Sequence, residues 1–152
     1  AGVVHQDVEL RAGVEHLPAP LRRGDIAGDR GHLRAGLAAD LGGGRFEARR
    51  VAAVILDARR LGADVGVVSG KRSQLEQERL YAQGRTTAGP IVTWTRSSAH
   101  TRGQAVDLGF RLKGSFRWDV PASAWDKLGQ LGARYGLRRT ALGKGDLGHF
   151  EL

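Results

Sequence analysis

The residues best suited to hydrolytic chemistry lie in the second half of the chain. In Ser98-Ala99-His100-Thr101-Arg102-Gly103-Gln104-Ala105-Val106-Asp107, an imidazole and a carboxylate stand seven positions apart, with Gly103 between them to permit a sharp bend. Asp107 sits in an otherwise apolar stretch, where an ionised carboxylate is costly to bury unless it has a partner such as a metal ion. His149 poses the same puzzle near the C-terminal end. If the segments carrying Asp107 and His149 are neighbouring strands, and His100 reaches in from the preceding loop, two nitrogens and one oxygen converge. At about 2.0 to 2.2 Å from the metal, that is a catalytic zinc set with a fourth position left for water. The chain contains no Cys, so thiolate ligands, disulfides and cysteine nucleophiles are excluded and the metal must be held by His and carboxylates.

Asp146 precedes His149 by three residues in the turn Gly145-Asp146-Leu147-Gly148. A carboxylate there suits a general base, taking a proton from water that attacks a carbonyl and delivering it to the leaving amine. The developing oxyanion needs a cation beside the metal, and Arg72 is the first candidate. Glu151 shares the strand face of His149 and reads either as a partner supporting that imidazole or, in preference, as a structural position; it stays outside the catalytic set. His5, His16 and His32 read as ordinary surface residues.

These side chains need elements to hold them. Val51, Val54, Ile55, Ala58 and Leu61 recur at helical spacing, with Gly62 as a stop, so a helix is expected over about 46 to 61. Val65 to Val68 is a short β-branched run that reads as a buried strand. Ser73-Gln74-Leu75-Glu76 forms a capping-box pattern opening a helix that runs to about Gln83. Residues 84 to 99 read as loop, with a brief strand at Ile91 to Trp94. Gln104 to Leu108 reads as a strand, Phe110 to Trp118 as its return, and Pro121 and Ser123 start a helix ending at Gly136. Leu147 to Leu152 alternates as a final strand, with His149 and Glu151 on one face and Phe150 and Leu152 on the other. Helices mixed with strands on short turns, without a βαβ repeat, predict an α+β fold with a small, mainly antiparallel sheet.

Residues 1 to 44 read as a lead-in segment, with a short helix from Asp29 through Leu41, and residues 45 to 152 as the catalytic domain. A chain of 152 residues with 41% hydrophobic and 26% charged content is a globular single domain. No apolar run approaches a membrane span, and no basic segment followed by an apolar core opens the chain. The absence of Met leads to the expectation of a processed or partial product. A formal charge of +8 attracts polyanions by long-range steering. The arginines are scattered in pairs without interleaved aromatics, so anionic wall polymers fit better than a specific nucleic acid.

Taken together, Ser69-Gly70-Lys71-Arg72-Ser73, Glu76-Gln77, Leu80-Tyr81-Ala82-Gln83-Gly84-Arg85-Thr86, Ser98-x-His100-x-x-Gly103-x-Ala105-x-Asp107 and Asp146-x-x-His149-Phe150-Glu151 resemble one peptidase family. It comprises the peptidoglycan-cleaving zinc peptidases, which include phage L-alanyl-D-glutamate endopeptidases and bacterial D-alanyl-D-alanine carboxypeptidases. The resemblance covers about residues 46 to 152. It implies one zinc ion on His100, Asp107 and His149, Asp146 as base, and Arg72 stabilising substrate carbonyl or carboxylate charge. It also implies the small α+β fold shared with the signalling domain of Hedgehog proteins. Ser98 and Gln77 are expected on the substrate side, Ser98 by orienting the loop or a ligand and Gln77 as either a substrate contact or an exposed helix position. The expected partner is a peptidoglycan stem peptide, met by a monomer acting on the cell wall as a secreted, periplasmic or phage-delivered protein. The family leaves two bonds open, and the Leu80 to Thr86 segment with Gly89-Pro90 and Val92-Thr93 looks more like the endopeptidase pattern. Three departures stand out: Lys71 replaces a common Tyr, Gly148 replaces a Pro or aromatic, and Arg138 to Lys144 lacks a Trp-Gly-Gly segment. Gly148 is expected to loosen the base and the last ligand together.

Overall fold

The structure is a computed structural model that describes residues 45–152; the helix expected from Asp29 to Leu41 and the three early histidines lie outside the described residues. Helix α1 spans Arg45–Arg60. Its Val51, Val54, Ile55 and Ala58 are buried, as their spacing predicts. Gly62 stops the helix in the left-handed region at φ 81°. The amides of Gly62 and Ala63 turn back onto the carbonyls of Arg59 and Ala58, closing the carbonyl end that α1 would otherwise leave bare.

Strand β1 (Val65–Ser69) leads to helix α2 (Gln74–Ala82). The Ser73 hydroxyl accepts from the Glu76 amide at 3.1 Å, which is the N-terminal half of the capping box. Strand β2 (Ala105–Leu112) turns into β3 (Ser115–Arg117), and helix α3 (Ala122–Arg134), a short 3-10 turn (Leu142–Lys144) and β4 (His149–Glu151) complete the order. All pairings are antiparallel and all involve β2. Asp107 pairs with Ser69 of β1 and with His149 of β4, so those two strands must flank β2 on opposite sides. Among the described residues the fold is α+β, three helices with a small antiparallel sheet, as expected.

Two strand boundaries differ from the sequence reading. The return strand does not begin at Phe110: β2 continues to Leu112 and reverses at Lys113-Gly114, where both residues have positive φ, 51° and 82°. That backbone matches the twist of a tight hairpin, whereas Gly109 stays inside the strand. Ile91 to Trp94 is not a strand; it is irregular chain whose polar groups are met by side chains of α2 and of the turn after it. The final strand is shorter than the alternation implied, covering only three of its positions.

One face of β2 makes the core. Val106, Leu108 and Phe110 pack with Phe150, with α1 and with Trp125, Leu128 and Leu131 of α3. Phe110 meets Trp125 edge to face at 5.0 Å. The Phe150 ring lies where a Cβ on Gly132 would be, so α3 needs glycine at its closest approach. Tyr135 donates to Asp57 at 2.7 Å, which satisfies one oxygen of a fully buried carboxylate and ties the C-terminal end of α3 to α1. Because side chains alternate along a strand, Ala105, Asp107, Gly109 and Arg111 face the other way. The functional residues stand on that open face.

Candidate metal centre

The two strand-borne candidate ligands meet because of register. Asp107 and His149 are direct cross-strand partners, a position that brings Cβ atoms to about 4.5 to 5.5 Å. Phe150 is fully buried, and its packing fixes which way β4 faces and turns His149 onto the open side. On the other edge, β1 pairs Val67 with Leu108 and Ser69 with Asp107, leaving Val68 as an extra residue. That bulge carries Ser69 onto the face of Asp107, where an unbroken alternation would have pointed it away.

His100 comes from the loop before β2 and is 2% exposed. Its Nδ1 donates to the Gly70 carbonyl at 2.8 Å, while the Arg72 amide donates to the His100 carbonyl at 3.2 Å. The loop is thereby stitched to the end of β1 in both directions. Ser98 accepts from the His100 amide at 3.3 Å through its hydroxyl, and its carbonyl accepts from the Thr101 hydroxyl at 2.7 Å. Gly103, at φ 69°, makes the bend that returns the chain to β2.

A carbonyl can only accept, so Nδ1 of His100 carries a proton and Nε2 is the nitrogen that faces inward. Glu151 acts likewise on His149, where its carboxylate lies 3.1 Å from Nε2 and leaves Nδ1 facing inward. His100 Nε2, Asp107 Oδ1 and His149 Nδ1 stand 3.1, 2.8 and 3.3 Å from one another. Ligands about 2.0 to 2.1 Å from a tetrahedral ion lie roughly 3.3 Å apart, so only a small expansion separates these atoms from a coordination triangle. Two imidazole nitrogens and a carboxylate oxygen brought this close form a donor set in which a cation can displace the inward-facing protons, and the group can hold a metal ion.

The electrostatics agree. Burial alone would raise Asp107, but hydrogen bonds from both histidines and their charge outweigh it and hold the carboxyl at about 2. His149 is pushed up to about 9, chiefly by its hydrogen bond to Asp107, against burial and with further help from Glu151 and the charge of Asp146. Glu151 is lowered, first by its bond to His149.

Arg72 reaches the same cluster. Its guanidinium donates to Asp107 Oδ2 at 3.0 Å, to Ser69 Oγ at 3.0 Å and to Gln77 Oε1 at 3.3 Å. Gln77 is fully buried, which removes the exposed-surface alternative; its Nε2 donates to the Thr93 hydroxyl and the Thr95 carbonyl at 3.1 and 2.7 Å. Asp146 is exposed in the turn after the 3-10 segment, and its charge acts on His149. Lys71 is exposed, with its aliphatic stem beside Gly103.

Gly148 does not loosen this end of the site. A Cβ there would fall 2.4 Å from the Leu108 carbonyl oxygen, while the Gly148 carbonyl accepts from the Leu108 amide at 2.9 Å. Only glycine lets the segment lie this close to β2, so it tightens the approach that puts His149 opposite Asp107. One contributor escaped the sequence reading: the Gly70 carbonyl carries no side-chain signal. Glu151 takes the partner position that alternation beside His149 offered it.

No protein-family model matches the chain. Over 62 residues it is 47% identical to the peptidoglycan L-alanyl-D-glutamate endopeptidase CwlK of Bacillus subtilis (strain 168), a stretch covering 39% of this chain and 37% of that protein. The match therefore spans little more than a third of the relative's length. In structure the chain is similar to the Serratia marcescens L-Ala D-Glu endopeptidase ChiX, with a TM-score of 0.57 and 23% identity, covering 78% of this chain and 87% of that one. The first comparison shows homology to a peptidoglycan endopeptidase, and the second shows the shared fold. Among the described residues no helix is long and apolar enough to cross a membrane.

Proposed function

We propose that this chain is a zinc peptidase that cleaves the L-alanyl-D-glutamate bond of peptidoglycan stem peptides. The observation that carries this reading is the convergence of His100 Nε2, Asp107 Oδ1 and His149 Nδ1, with both histidines oriented by acceptors on their far nitrogens. That nitrogen and oxygen donor set suits zinc, with three protein ligands and one open position. When bound, zinc lowers the pKa of a coordinated water to about 7 and polarises a carbonyl oxygen. The rest belongs to the chain. Asp146, exposed beside His149, takes the proton from water as its oxygen bonds to the scissile carbonyl carbon. It then returns that proton to the departing amine as the carbon–nitrogen bond breaks. Arg72 places positive charge at the cluster, where it steadies Asp107 and faces carbonyl or carboxylate charge on the substrate. Gln77 and Ser98 support the substrate side by holding Arg72 and His100.

The likeness to CwlK favours the L-alanyl-D-glutamate bond over a terminal D-alanyl-D-alanine bond. Such an enzyme works on the cell wall, as a monomer exported or phage-delivered. The test is digestion of a complete stem muropeptide by the zinc-loaded protein, followed by mass analysis. A new amino-terminal D-glutamate supports the proposal, whereas free D-alanine from an otherwise whole stem overturns the choice of bond. Elemental analysis should find one zinc per chain, lost in His100→Ala. Asp146→Asn should retain the metal while turnover falls by about 10²- to 10⁴-fold.

A further inference from the structure

Trp94 is the most exposed large apolar side chain among the described residues, at 65%, yet the chain on either side of it is pinned. Gln77, fully buried, bonds the Thr93 hydroxyl and the Thr95 carbonyl. Arg85 bonds the Thr93 carbonyl at 3.1 Å and the Tyr81 carbonyl at 2.7 Å. None of these bonds goes to the indole, so the loop is held without it. Arg85 lies 4.0 Å over the Tyr81 ring and 5.9 Å from that of Trp94, and Arg96 lies 4.9 Å from the Tyr81 ring centre. Arg85 is thus stacked on Tyr81 with or without Trp94. The fold therefore holds an indole out to solvent from a rigid base, beside guanidinium groups, where nothing in the described structure needs it for packing. An exposed surface of that kind marks a binding site.

Its place says what it binds. The anchor Gln77 also accepts from Arg72, which bonds the ligand Asp107, so the Trp94 segment is joined to the metal centre through two side chains. We propose that Trp94, with Arg85 and Arg96 beside it, docks an amino-sugar ring of the peptidoglycan glycan strand. This rests on the reading of the chain as an L-alanyl-D-glutamate endopeptidase. In that substrate only the L-alanine and a lactyl group separate the scissile carbonyl from the sugar. At about 3.3 to 3.6 Å per extended residue, the ring sits within roughly 10 Å of the reacting carbon, so such an enzyme must meet it. A pyranose offers one face of C–H groups to stack on an indole, and its hydroxyl and acetamido oxygens accept from guanidinium donors.

The test compares kcat/KM on a disaccharide-bearing tetrapeptide with that on the same peptide without sugar. The zinc-loaded chain is expected to favour the sugar-bearing substrate by about tenfold. Trp94→Ala should bring that ratio close to one, and Trp94→Phe should keep an intermediate ratio. A wild-type ratio near one, or an equal loss on both substrates in Trp94→Ala, overturns the proposal. Binding is read separately by NMR: adding peptide-free glycan should shift the Trp94 indole N–H while leaving that of Trp125 in place. If neither substrate is cut but the indole shifts, the endopeptidase reading fails and the sugar site stands. If the indole does not shift, the sugar site fails whatever the activity.

Discussion

Asp107 divides its two oxygens between the metal group and Arg72: Oδ1 faces both histidines, and Oδ2 accepts from the Arg72 guanidinium at 3.0 Å. Arg72 thus occupies the oxygen that could otherwise swing toward a bound metal, and would hold the carboxylate to a single ligating atom. Partners of this kind, one bond removed from the metal, typically change affinity or activity by about 10- to 100-fold when lost. Arg72→Ala should therefore weaken zinc binding by about that factor as well as slow hydrolysis, and Arg72→Lys should recover only part of either, because an ammonium lacks the fork that reaches Ser69, Gln77 and Asp107 together. Competition against a chelator measures the first effect. Unchanged affinity with lost turnover would confine Arg72 to the substrate.

The chelator-treated chain should lose stability as pH rises. His149 is raised from its ordinary 6.5 to about 9 by Asp107 and Glu151, so the folded chain binds a proton more tightly than the unfolded chain does. That stabilisation is complete below about 6.5 and is lost as pH rises through about 9. Zinc competes for the same nitrogen, so its apparent affinity should climb over the same window, with proton release on binding. Thermal melts and calorimetry in two buffers check both halves. A melting point independent of pH across this range in the chelated protein would contradict the assignment.

Gly148→Ala should be strongly destabilising for one glycine change, since the new methyl has to displace the Leu108 carbonyl oxygen it would meet at 2.4 Å. A cost of about 1 to 3 kcal/mol is typical when extra volume forces backbone apart. Because the displaced segment carries His149, zinc affinity should fall with stability. Denaturant titration combined with metal analysis tests the pair. A variant that is less stable yet binds zinc normally would separate Gly148 from the metal centre.

Hydrolysis of insoluble wall should fall with added salt more steeply than hydrolysis of a soluble muropeptide. The chain carries a formal charge of +8, and attraction to an anionic polymer is screened over about 8 Å at physiological ionic strength. Turbidity clearance and soluble-peptide rates across a salt series provide the comparison. Equal salt dependence for the two substrates would remove the charge from any role in wall capture.

The sequence by itself determined much of this protein. Helical spacing placed α1, the capping pattern placed the start of α2, and the types and order of His100, Asp107 and His149 named a ligand set, because each was a polar residue set against an apolar or strand-like background. Its period-two alternation even put Glu151 on the face of His149, which offered a partner to that imidazole beside the structural reading. Only the tertiary structure decided which atoms meet. Register between β2 and β4 puts His149 opposite Asp107, a bulge at Val68 turns Ser69 toward the same face, and the Gly70 carbonyl selects which nitrogen of His100 points inward. These are contacts between distant parts of the chain, made by backbone groups that every residue type shares, so composition and spacing carry no sign of them. Gly148 shows the difference most clearly. In the sequence it was a missing side chain and read as slack, while in the fold the absent Cβ is what lets two strands close on a shared site.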